Sequence, residues 1–250
     1  MTSNEGHDLI NNLNFSKNLD ELDSLERATC AHCNKARRYY CYTCMKPMGN
    51  STPQIQLPMK TVILQHPKEK KGKSTAIHAK IIAPEWVEIY QYPEVPDYIN
   101  ENNAVLLYPG KHAITVPELV EKNKERSENN KIEYVVFIDS TWQQSKCIFR
   151  DEKVAKLPCV KIADQKTLFW RYQSFGDSFL ATIEAIFYFF KEFNNESHQF
   201  DDLLYFYAHQ YKLIQDRYRN DTSIKFNHKQ NYINYEQEEQ ANKRQKIEHQ

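Results

Sequence analysis

One apolar run in the sequence ends abruptly at polar residues, and this limits what the chain can fold into. Val135-Val136-Phe137-Ile138 is β-branched and aromatic, and Asp139-Ser140-Thr141-Trp142 follows it directly. Such a run predicts a buried strand. Open α/β sheets bind their ligands outside the carboxyl ends of the strands, so the residues from Asp139 to Trp142 are candidate site residues.

The same polar residues also have a purely structural interpretation. Aspartate, serine and threonine at the end of a strand are typical caps of a following helix, and residues 143–149 could form that helix. An indole at Trp142, beside the carboxylate of Asp139, suits a flat base or an adenine ring, whereas a core tryptophan is the competing interpretation. The sequence leaves both alternatives open.

Four cysteines near the N-terminus form a second constraint. Cys30 and Cys33 make one Cys-x-x-Cys pair, and Cys41 and Cys44 make another. Two such pairs present four thiolates to one cation, so residues 28–50 are predicted to form a small structural zinc module. Four sulfur ligands leave no open coordination position, so this metal is not expected to be catalytic. A redox pair, or unrelated thiols, is the alternative.

Composition argues against some classes of protein. The 250 residues include only five glycines and no Gly-x-Gly-x-x-Gly or phosphate-binding loop, which disfavours nucleotide cofactors held in the usual Rossmann or P-loop way. No stretch approaches the roughly 18 apolar residues of a membrane span, and the N-terminus lacks a basic region followed by an apolar one. We therefore expect a soluble protein with no membrane partner.

Charge is balanced overall but uneven locally. Lys and Arg number 33, as do Asp and Glu, so the formal net charge is zero. Basic residues lie between the cysteine pairs and cluster again at Lys68, Lys70, Lys71 and Lys73, whereas acidic residues collect towards the two ends. A basic face on the folded part would bind a phosphate backbone, and an ordinary mixed surface is the alternative.

Strand and helix patterns alternate through the middle of the chain. Strands are predicted at 61–64, 105–108 and 133–138, and helices at 74–82 and 116–128. This alternation predicts an α/β domain with a mostly parallel sheet, spanning residues 55–220.

Two further helices are predicted towards the C-terminus. One is capped by Asp177 or Ser178 and runs to about residue 193, and the other is capped by Asp201 or Asp202 and runs to about residue 218. Residues 1–27 and 221–250 are polar and are predicted to be tails. The basic run at 243–246 could be a nuclear import signal or a solvated tail, and we expect a nuclear or cytoplasmic protein, with the nucleus favoured.

Several motifs together resemble those of the DTW-domain family. Asp139-Ser140-Thr141-Trp142 resembles its Asp-x-Thr-Trp signature. Other segments resemble further family motifs in the same order: the four cysteines, residues 64–69 with Lys73-Ser74-Thr75, residues 106–110, Trp170-Arg171-Tyr172-Gln173 and residues 180–185. Ala181 departs from the serine common in the family, so a hydroxyl role is not expected there. Lys73-Ser74-Thr75 replaces the Asn-Thr-Gly of many bacterial members, which suggests a eukaryotic-type protein.

The resemblance implies a tRNA-uridine aminocarboxypropyltransferase. Such enzymes are similar to the SPOUT group of RNA methyltransferases, in which a parallel sheet carries a C-terminal trefoil knot that holds S-adenosylmethionine. In the implied reaction, N3 of a tRNA uridine, expected in the D-loop, attacks the carbon next to the sulfonium, and methylthioadenosine leaves. N3 carries a proton in neutral uridine and is paired in a duplex, so the reaction needs a base and an unpaired nucleotide.

Roles for individual residues follow from the same resemblance. Asp139 would accept the N3 proton or orient the uridine, with Ser140 and Thr141 beside it, and Trp142 would stack on the target base or shape its pocket. The residues of the two loops expected to hold S-adenosylmethionine are Leu107, Tyr108, Pro109, Gly110, Leu180, Ala181 and Thr182. The residues expected to bind tRNA or the cofactor carboxylate are His66, Lys73 and Arg171.

Two other functions stay open at the level of sequence. A methyltransferase on the same fold would release a different leaving group from S-adenosylmethionine. A non-catalytic, zinc-containing RNA-binding protein would tolerate the loss of Asp139. Neither the identity of the tRNAs nor the oligomeric state follows from the sequence.

Overall fold

The computed structural model describes residues 9–169, 180–195 and 198–220. Arg171 and the motif around it, the expected caps Asp177 and Ser178, and residues 221–250 with their basic run therefore lie outside the described residues.

Two short antiparallel hairpins make up the four-cysteine module. β1 (Ala28–Thr29) pairs with β2 (Ala36–Arg37), and β3 (Tyr40–Cys41) pairs with β4 (Lys46–Pro47). One Cys-x-x-Cys pair lies at the turn of each hairpin. The residue after each pair has left-handed backbone, with φ of 55° at both Asn34 and Met45, and this reverses the chain at equivalent points.

A parallel sheet forms the centre of the main domain, which confirms the α/β prediction. Its six strands are β5 (Lys60–Gln65), β6 (Val87–Gln91), β7 (Ala104–Leu107), β8 (Ile114–Thr115), β9 (Tyr134–Asp139) and β10 (Cys159–Lys161). Their order across the sheet is β6-β5-β9-β7-β10-β8, and each neighbouring pair is parallel. The carboxyl ends of all these strands therefore lie along one edge, where ligands bind in such sheets.

Helices cover both faces of the sheet. They are α1 (Ala76–Ile82), α2 (Val116–Glu125), α3 (Trp142–Phe149), α4 (Glu152–Ala155), α5 (Thr182–Phe193) and α6 (Tyr205–Asn220). Because side chains alternate along a strand, Val135 and Phe137 pack with α1, α2, α5 and α6, whereas Val136 packs on the opposite face with Ile148 of α3 and Val154 of α4. None of the described helices is long and apolar enough to cross a membrane.

The two predicted C-terminal helices exist but begin differently. α5 starts at Thr182 after an extended Ala181, so neither Asp177 nor Ser178 is its cap. Asp201 and Asp202 lie inside a 3-10 helix (His198–Leu204) that precedes α6, and they do not cap it. Their carboxylates are used elsewhere, because they accept hydrogen bonds from the N-terminal segment.

Residues 9–27, expected to be part of a polar tail, pack against the main domain. The Asn14 N–H donates to the Asp201 carboxylate at 2.7 Å, and the Ser16 N–H donates to the Asp202 carboxylate at 2.9 Å. Ile10, Leu19 and Leu22 are buried. These apolar residues are too sparse to produce a periodic pattern, so only the tertiary structure reveals that the segment is anchored.

Candidate functional site

The carboxyl ends of β5 and β9 lie side by side and bring two distant motifs together. Gln65 and Asp139 are paired in register, and the His66 N–H donates to the Asp139 carbonyl oxygen at 3.0 Å. The segment that begins at His66 therefore meets the Asp-Ser-Thr-Trp segment at the edge where a parallel sheet binds ligands.

The carboxylate of Asp139 is buried at this edge and accepts three hydrogen bonds. Its Oδ2 accepts from Gln65 Nε2 at 2.8 Å and from Ser74 Oγ at 2.7 Å, and its Oδ1 accepts from Thr182 Oγ1 at 2.6 Å. Asp139 is only 4% exposed. Hydrogen bonds from three donors offset the cost of removing the carboxylate charge from water. The same hydrogen bonds hold the three donor side chains in place. Asp139 thus ties β5, the loop before α1 and the first turn of α5 to the end of β9.

The first turn of α5 is held by side chains from other segments. Its N-cap residue, Ala181, carries no side-chain acceptor. The Ile183 N–H donates to Thr75 Oγ1 at 3.3 Å, and the Ala181 N–H donates to the Glu184 carboxylate at 2.7 Å. Thr75 therefore supplies, from outside the helix, the acceptor that an N-cap serine would provide.

Glu184 is a buried carboxylate that the sequence analysis missed. Besides Ala181, it accepts from Thr167 Oγ1 at 2.5 Å, from the Leu168 N–H at 2.7 Å and from the Tyr207 hydroxyl at 2.8 Å. Burial raises the pKa of Glu184, although these donors act to lower it. Glu184 clamps the segment after β10 to the start of α5. Its position three residues after the N-cap is a capping signal that could have identified it.

A cavity of about 210 Å³, the edge cavity, opens at the carboxyl ends of β7, β9 and β10. Its wall is made by the ends of these strands, the loops after them and the first turns of α3 and α5. The lining residues are Leu107, Tyr108, Pro109, Phe137, Ile138, Ser140, Trp142, Ser145, Val160, Lys161, Ile162, Ala163, Asp164, Gln165, Leu180, Thr182 and Ala185. An apolar concavity with a few polar groups is typical of a small-molecule site.

Both loops that were expected to hold a cofactor contribute to the edge cavity. The predicted residues that line it are Leu107, Tyr108, Pro109, Leu180 and Thr182. Gly110 and Ala181 do not line it. A third contribution, from residues 160–165, was not predicted; the alternation of Val160 and Ile162 was its only, and weak, signal.

The four residues predicted to be catalytic occupy different places. Ser140 and Trp142 line the edge cavity. Thr141 is the N-cap of α3, where its hydroxyl accepts from the Gln144 N–H at 3.4 Å, as the structural interpretation expected. Asp139 does not line the cavity and reaches it through the hydroxyl of Thr182.

The residues expected to bind the substrate do not line the edge cavity. His66 Nδ1 accepts from the Lys68 N–H at 3.2 Å. Lys73 lines a separate cavity of about 260 Å³, which also contacts Tyr40 of the four-cysteine module and Gln210 of α6. Arg171 lies outside the described residues.

Three aromatic rings form a row at the mouth of the edge cavity. Tyr108 stacks on Phe149, with ring centroids 4.2 Å apart and planes 10° apart. Trp142 lies on the cavity side, with its centroid 6.1 Å from that of Tyr108. Aromatic surfaces of this kind stack with nucleobases of any sequence.

The four cysteines converge on one point. Their sulfur atoms all lie within 4.8 Å of one another, and the Sγ atoms of Cys33 and Cys41 are 3.5 Å apart. None forms a disulfide. Sulfur atoms bound to zinc at about 2.3 Å in a tetrahedron are separated by comparable distances, so the group could hold a zinc ion as predicted.

The surroundings of these thiols differ. Burial would raise the pKa of Cys41, but hydrogen bonds from the backbone of Cys44 and Thr43 and from the neighbouring thiols lower it to about 6. Burial and the other thiols raise the pKa of Cys44 to about 12. Four thiolates this close would repel one another, and a bound cation removes that repulsion.

Tyr40 docks the four-cysteine module onto the main domain. Its hydroxyl lies 2.9 Å from Nε2 of His78 on α1 and accepts from Gln210 Nε2 of α6 at 2.7 Å. Its ring packs against that of Phe206, with centroids 4.9 Å apart. Tyr40 precedes Cys41, one of the four clustered cysteines, so the same short strand contributes to the cysteine cluster and contacts α1.

Basic groups of the module and the main domain adjoin each other. Residues 68–73, the basic loop, follow β5 and contain Lys68, Lys70, Lys71 and Lys73, all exposed. A Cβ atom at Gly72 would lie 3.5 Å from the ring of Tyr42, and the guanidinium carbon of Arg37 lies 4.0 Å from the centroid of the same ring. Tyr42 therefore bridges two sources of positive charge beside the site edge.

A model of the DTW domain matches residues 38–215. The chain belongs to the DTW domain family. Three curated relatives carry the name "tRNA-uridine aminocarboxypropyltransferase 1". The protein of Mus musculus is 36% identical over 236 residues, covering 76% of this chain and 78% of the relative. The protein of Homo sapiens is 34% identical over 263 residues, covering 86% of each, and that of Xenopus laevis is 34% identical over 257 residues, covering 84% and 88%.

A solved structure described as "Structure of the SAM-dependent rRNA:acp-transferase Tsr3 from Vulcanisaeta distributa" is also similar to this DTW-family chain. It shares 14% sequence identity, covers 65% of this chain and 82% of its own, and has a TM-score of 0.44. This TM-score is too low to establish a shared fold.

Proposed function

We propose that the chain transfers the aminocarboxypropyl group of S-adenosylmethionine to N3 of an unpaired tRNA uridine, in the D-loop of the tRNA. One observation carries the proposal: the edge cavity is lined by the segments that define the DTW motif, in a chain 36% identical to a protein named for this reaction.

The edge cavity fits the chemistry of S-adenosylmethionine. Leu107, Ile138 and Leu180 offer an apolar wall to the adenine ring. Asp164 is the only carboxylate among the described lining residues, and it would attract the ammonium group of the amino acid end of the molecule, while Lys161 would attract its carboxylate. When bound, S-adenosylmethionine supplies an activated carbon next to its sulfonium.

The uridine approaches from the aromatic side of the edge cavity. Trp142 and Tyr108 provide a stacking surface for an unpaired base, and Ser140 lies beside them. In the transfer, a bond forms between N3 and the carbon next to the sulfonium, the bond from that carbon to sulfur breaks, and methylthioadenosine leaves. The N3 proton is lost to a base.

In this proposal, Asp139 orients neighbouring side chains of the site and does not itself transfer a proton. Its carboxylate already accepts three hydrogen bonds and lies behind the cavity wall, which favours an orienting role over proton transfer. It accepts a hydrogen bond from the hydroxyl of Thr182, and Thr182 lines the cavity. A positioned group loses much of its effect when it is displaced by about 1 Å.

We also propose a knotted fold, domain boundaries, a cellular location and a tRNA-binding surface for the chain. Three segments, at residues 107–109, 160–165 and 180–182, meet around the edge cavity, which supports a C-terminal trefoil knot that holds the co-substrate. The chain would comprise a zinc module at 28–50, a DTW catalytic domain at 55–220 and a charged segment at 221–250 that directs it to the nucleus. The basic loop and the adjoining module would bind the tRNA backbone.

The product of the reaction tests the proposal directly. The protein is incubated with unmodified tRNA and S-adenosylmethionine, and the tRNA nucleosides and small molecules are identified by mass spectrometry. We expect aminocarboxypropyluridine and methylthioadenosine in equal amounts. Methylated uridine with adenosylhomocysteine would instead assign a methyltransferase, and tRNA binding without any modified uridine would indicate a non-catalytic RNA-binding protein.

A pair of variants tests the edge cavity as the co-substrate site. Ala185→Phe places a ring inside the cavity, because Ala185 lines it from α5. Ala155→Phe places the same ring at an exposed position of α4. We expect the first variant to lose S-adenosylmethionine binding in calorimetry while the second binds normally. Unimpaired binding by a folded Ala185→Phe variant would place the co-substrate elsewhere.

A further inference from the structure

A third cavity, of about 610 Å³, lies beside the edge cavity. It is formed by α2, the loop before β8, the end of α3 and the start of β10. Its lining residues are Val105, Gly110, Lys111, His112, Ile114, Leu119, Lys122, Asn123, Arg126, Ile132, Phe149, Leu157, Pro158 and Cys159. We call it the basic cavity. Among the residues expected to bind the co-substrate or the uridine, Gly110 alone lines it, and the proposed reaction does not use it.

The basic cavity combines an apolar interior with a cationic rim. Leu119, Ile132 and Leu157 are buried at its base, whereas Lys111 and Lys122 are exposed. None of the described residues that line it is acidic. Such a combination suits a ligand with one flat, weakly polar part and one anionic part.

Arg126 adds a fixed cation to this rim. Its Nη1 donates to the backbone oxygens of Asn102 and Asn130, both at 2.9 Å. The guanidinium is therefore held in place by the backbone. A cation that is already ordered loses less conformational entropy when it binds a phosphate.

One aromatic stack separates the two cavities. Phe149 lines the basic cavity and stacks on Tyr108, which lines the edge cavity. Pro109 and Gly110, consecutive in sequence, line one cavity each. The basic cavity is therefore adjacent to the aromatic side of the edge cavity, where the proposed function places the target base.

We propose that the basic cavity binds a second nucleotide of the tRNA substrate, with its base in the apolar interior and its phosphate at Lys111, Lys122 and Arg126. The inference rests on the proposed function, because that function places the RNA at the neighbouring cavity. Charge complementarity identifies the occupant: the rim is cationic, and RNA offers a phosphate next to each flat base. The site would help to select the tRNA segment that carries the target uridine.

Charge reversal at the rim tests the proposal. The double variant Lys111→Glu, Lys122→Glu should bind tRNA about tenfold more weakly. In a plot of the logarithm of tRNA affinity against the logarithm of salt concentration, the negative slope should become smaller in magnitude by about two. The control is Lys124→Glu on the same helix, because Lys124 pairs with Glu121 at 2.8 Å and does not line the cavity. We expect the control to bind nearly normally, and S-adenosylmethionine affinity to be unchanged in both.

Alkylation of Cys159 tests occupancy in the wild-type protein. Cys159 lines the basic cavity, and burial raises the pKa of its thiol, so the reaction with iodoacetamide is run at mildly alkaline pH. Added tRNA should slow the modification of Cys159, as followed by peptide mass spectrometry. Exposed Cys147 lies outside the cavity and reports general changes in reactivity.

Several results would overturn the proposal. They are unchanged tRNA affinity in the double variant, no protection of Cys159 by tRNA, and equal protection by a poly-glutamate peptide, which would indicate an acidic protein partner. Complete protection before RNA is added would mean that the chain itself fills the cavity. These outcomes are independent of the proposed function, which fails only if the wild-type protein makes no aminocarboxypropyluridine.

Discussion

Asp139 meets donors from three segments of the chain, and this geometry determines what its replacement should do. In Asp139→Asn, an amide NH₂ replaces one oxygen and faces a donor from Gln65, Ser74 or Thr182. Since a hydrogen bond to a charged group contributes ~1.5–3 kcal/mol, the free energy of unfolding should fall by about that much. Turnover should fall by roughly a hundredfold, because the hydroxyl of Thr182 is no longer fixed.

The control for Asp139 is Asp151→Asn. Asp151 caps α4 by accepting from the Lys153 N–H at 3.0 Å, and asparagine is an equally good cap. We expect this control to keep its activity and stability. Asp139→Asn turnover close to that of the wild type would remove Asp139 from the mechanism.

Glu184 offers a second prediction at the scale of one residue. Glu184→Gln turns one acceptor oxygen into a donor opposite Thr167, Leu168, Ala181 or Tyr207, and an unpaired buried N–H costs ~1–3 kcal/mol. Because Glu184 clamps two segments that line the edge cavity, we expect KM for S-adenosylmethionine to rise more than kcat falls. Tyr207→Phe removes one donor without adding another, so it should show a smaller change in both quantities. Equal changes in the two variants would show that the clamp does not shape the cavity.

At the scale of elements, the start of α5 depends on a side chain from outside the helix. Thr75→Val removes the acceptor for the Ile183 N–H, and we expect a loss of ~0.5–2 kcal/mol in stability, the usual cost of an N-cap. Adding Ala181→Ser to this variant supplies a cap within the helix itself. Thermal unfolding should show partial recovery in the double variant, and no recovery would mean that the hydroxyl of Thr75 does not act as a cap.

The four-cysteine module is the second element that can be tested as a unit. Metal analysis of the purified, unchelated protein should find one zinc per chain, because the four sulfur atoms lie within 4.8 Å of one another. Cys33→Ser should release the metal and weaken tRNA binding more than S-adenosylmethionine binding. Cys147→Ser is the matched control, since Cys147 is exposed and distant from the cluster in sequence. A zinc-free wild-type protein that binds tRNA normally would contradict this prediction.

At the scale of the whole molecule, zero net charge should not prevent salt-sensitive tRNA binding. The basic loop concentrates four exposed lysines beside the site edge, and phosphate contacts there displace condensed counterions. The double variant Lys70→Glu, Lys71→Glu should bind tRNA about tenfold more weakly at low salt. Lys124→Glu with Lys131→Glu changes the net charge equally at two lysines that lie outside the basic loop and pair with glutamates, and should have little effect. A tRNA affinity that does not change with salt concentration would rule out the basic loop as a surface that binds the tRNA backbone.

Most of the main domain could be predicted because short stretches of sequence specify its longer strands and helices. The continuous apolar runs of β5, β7 and β9 and the cysteine spacing are short-range patterns that can be recognised in the sequence alone. The anchoring of residues 9–27 could not be predicted in this way, because it depends on Asp201 and Asp202, which lie far away in the sequence. Strands β6, β8 and β10 were missed because their apolar runs are short.

The sequence by itself determined the chemistry that is available: four thiolates at metal-binding spacing, a strand that ends at Asp139, and a row of motifs typical of one family. Only the tertiary structure decided which of these groups faces the cavity. Thr141 caps a helix, Asp139 lies behind Thr182, and Glu184 and Thr75 hold the first turn of α5. The physical reason is that a hydrogen bond between distant segments depends on how the sheet and helices pack, and this packing leaves no periodic trace in the chain.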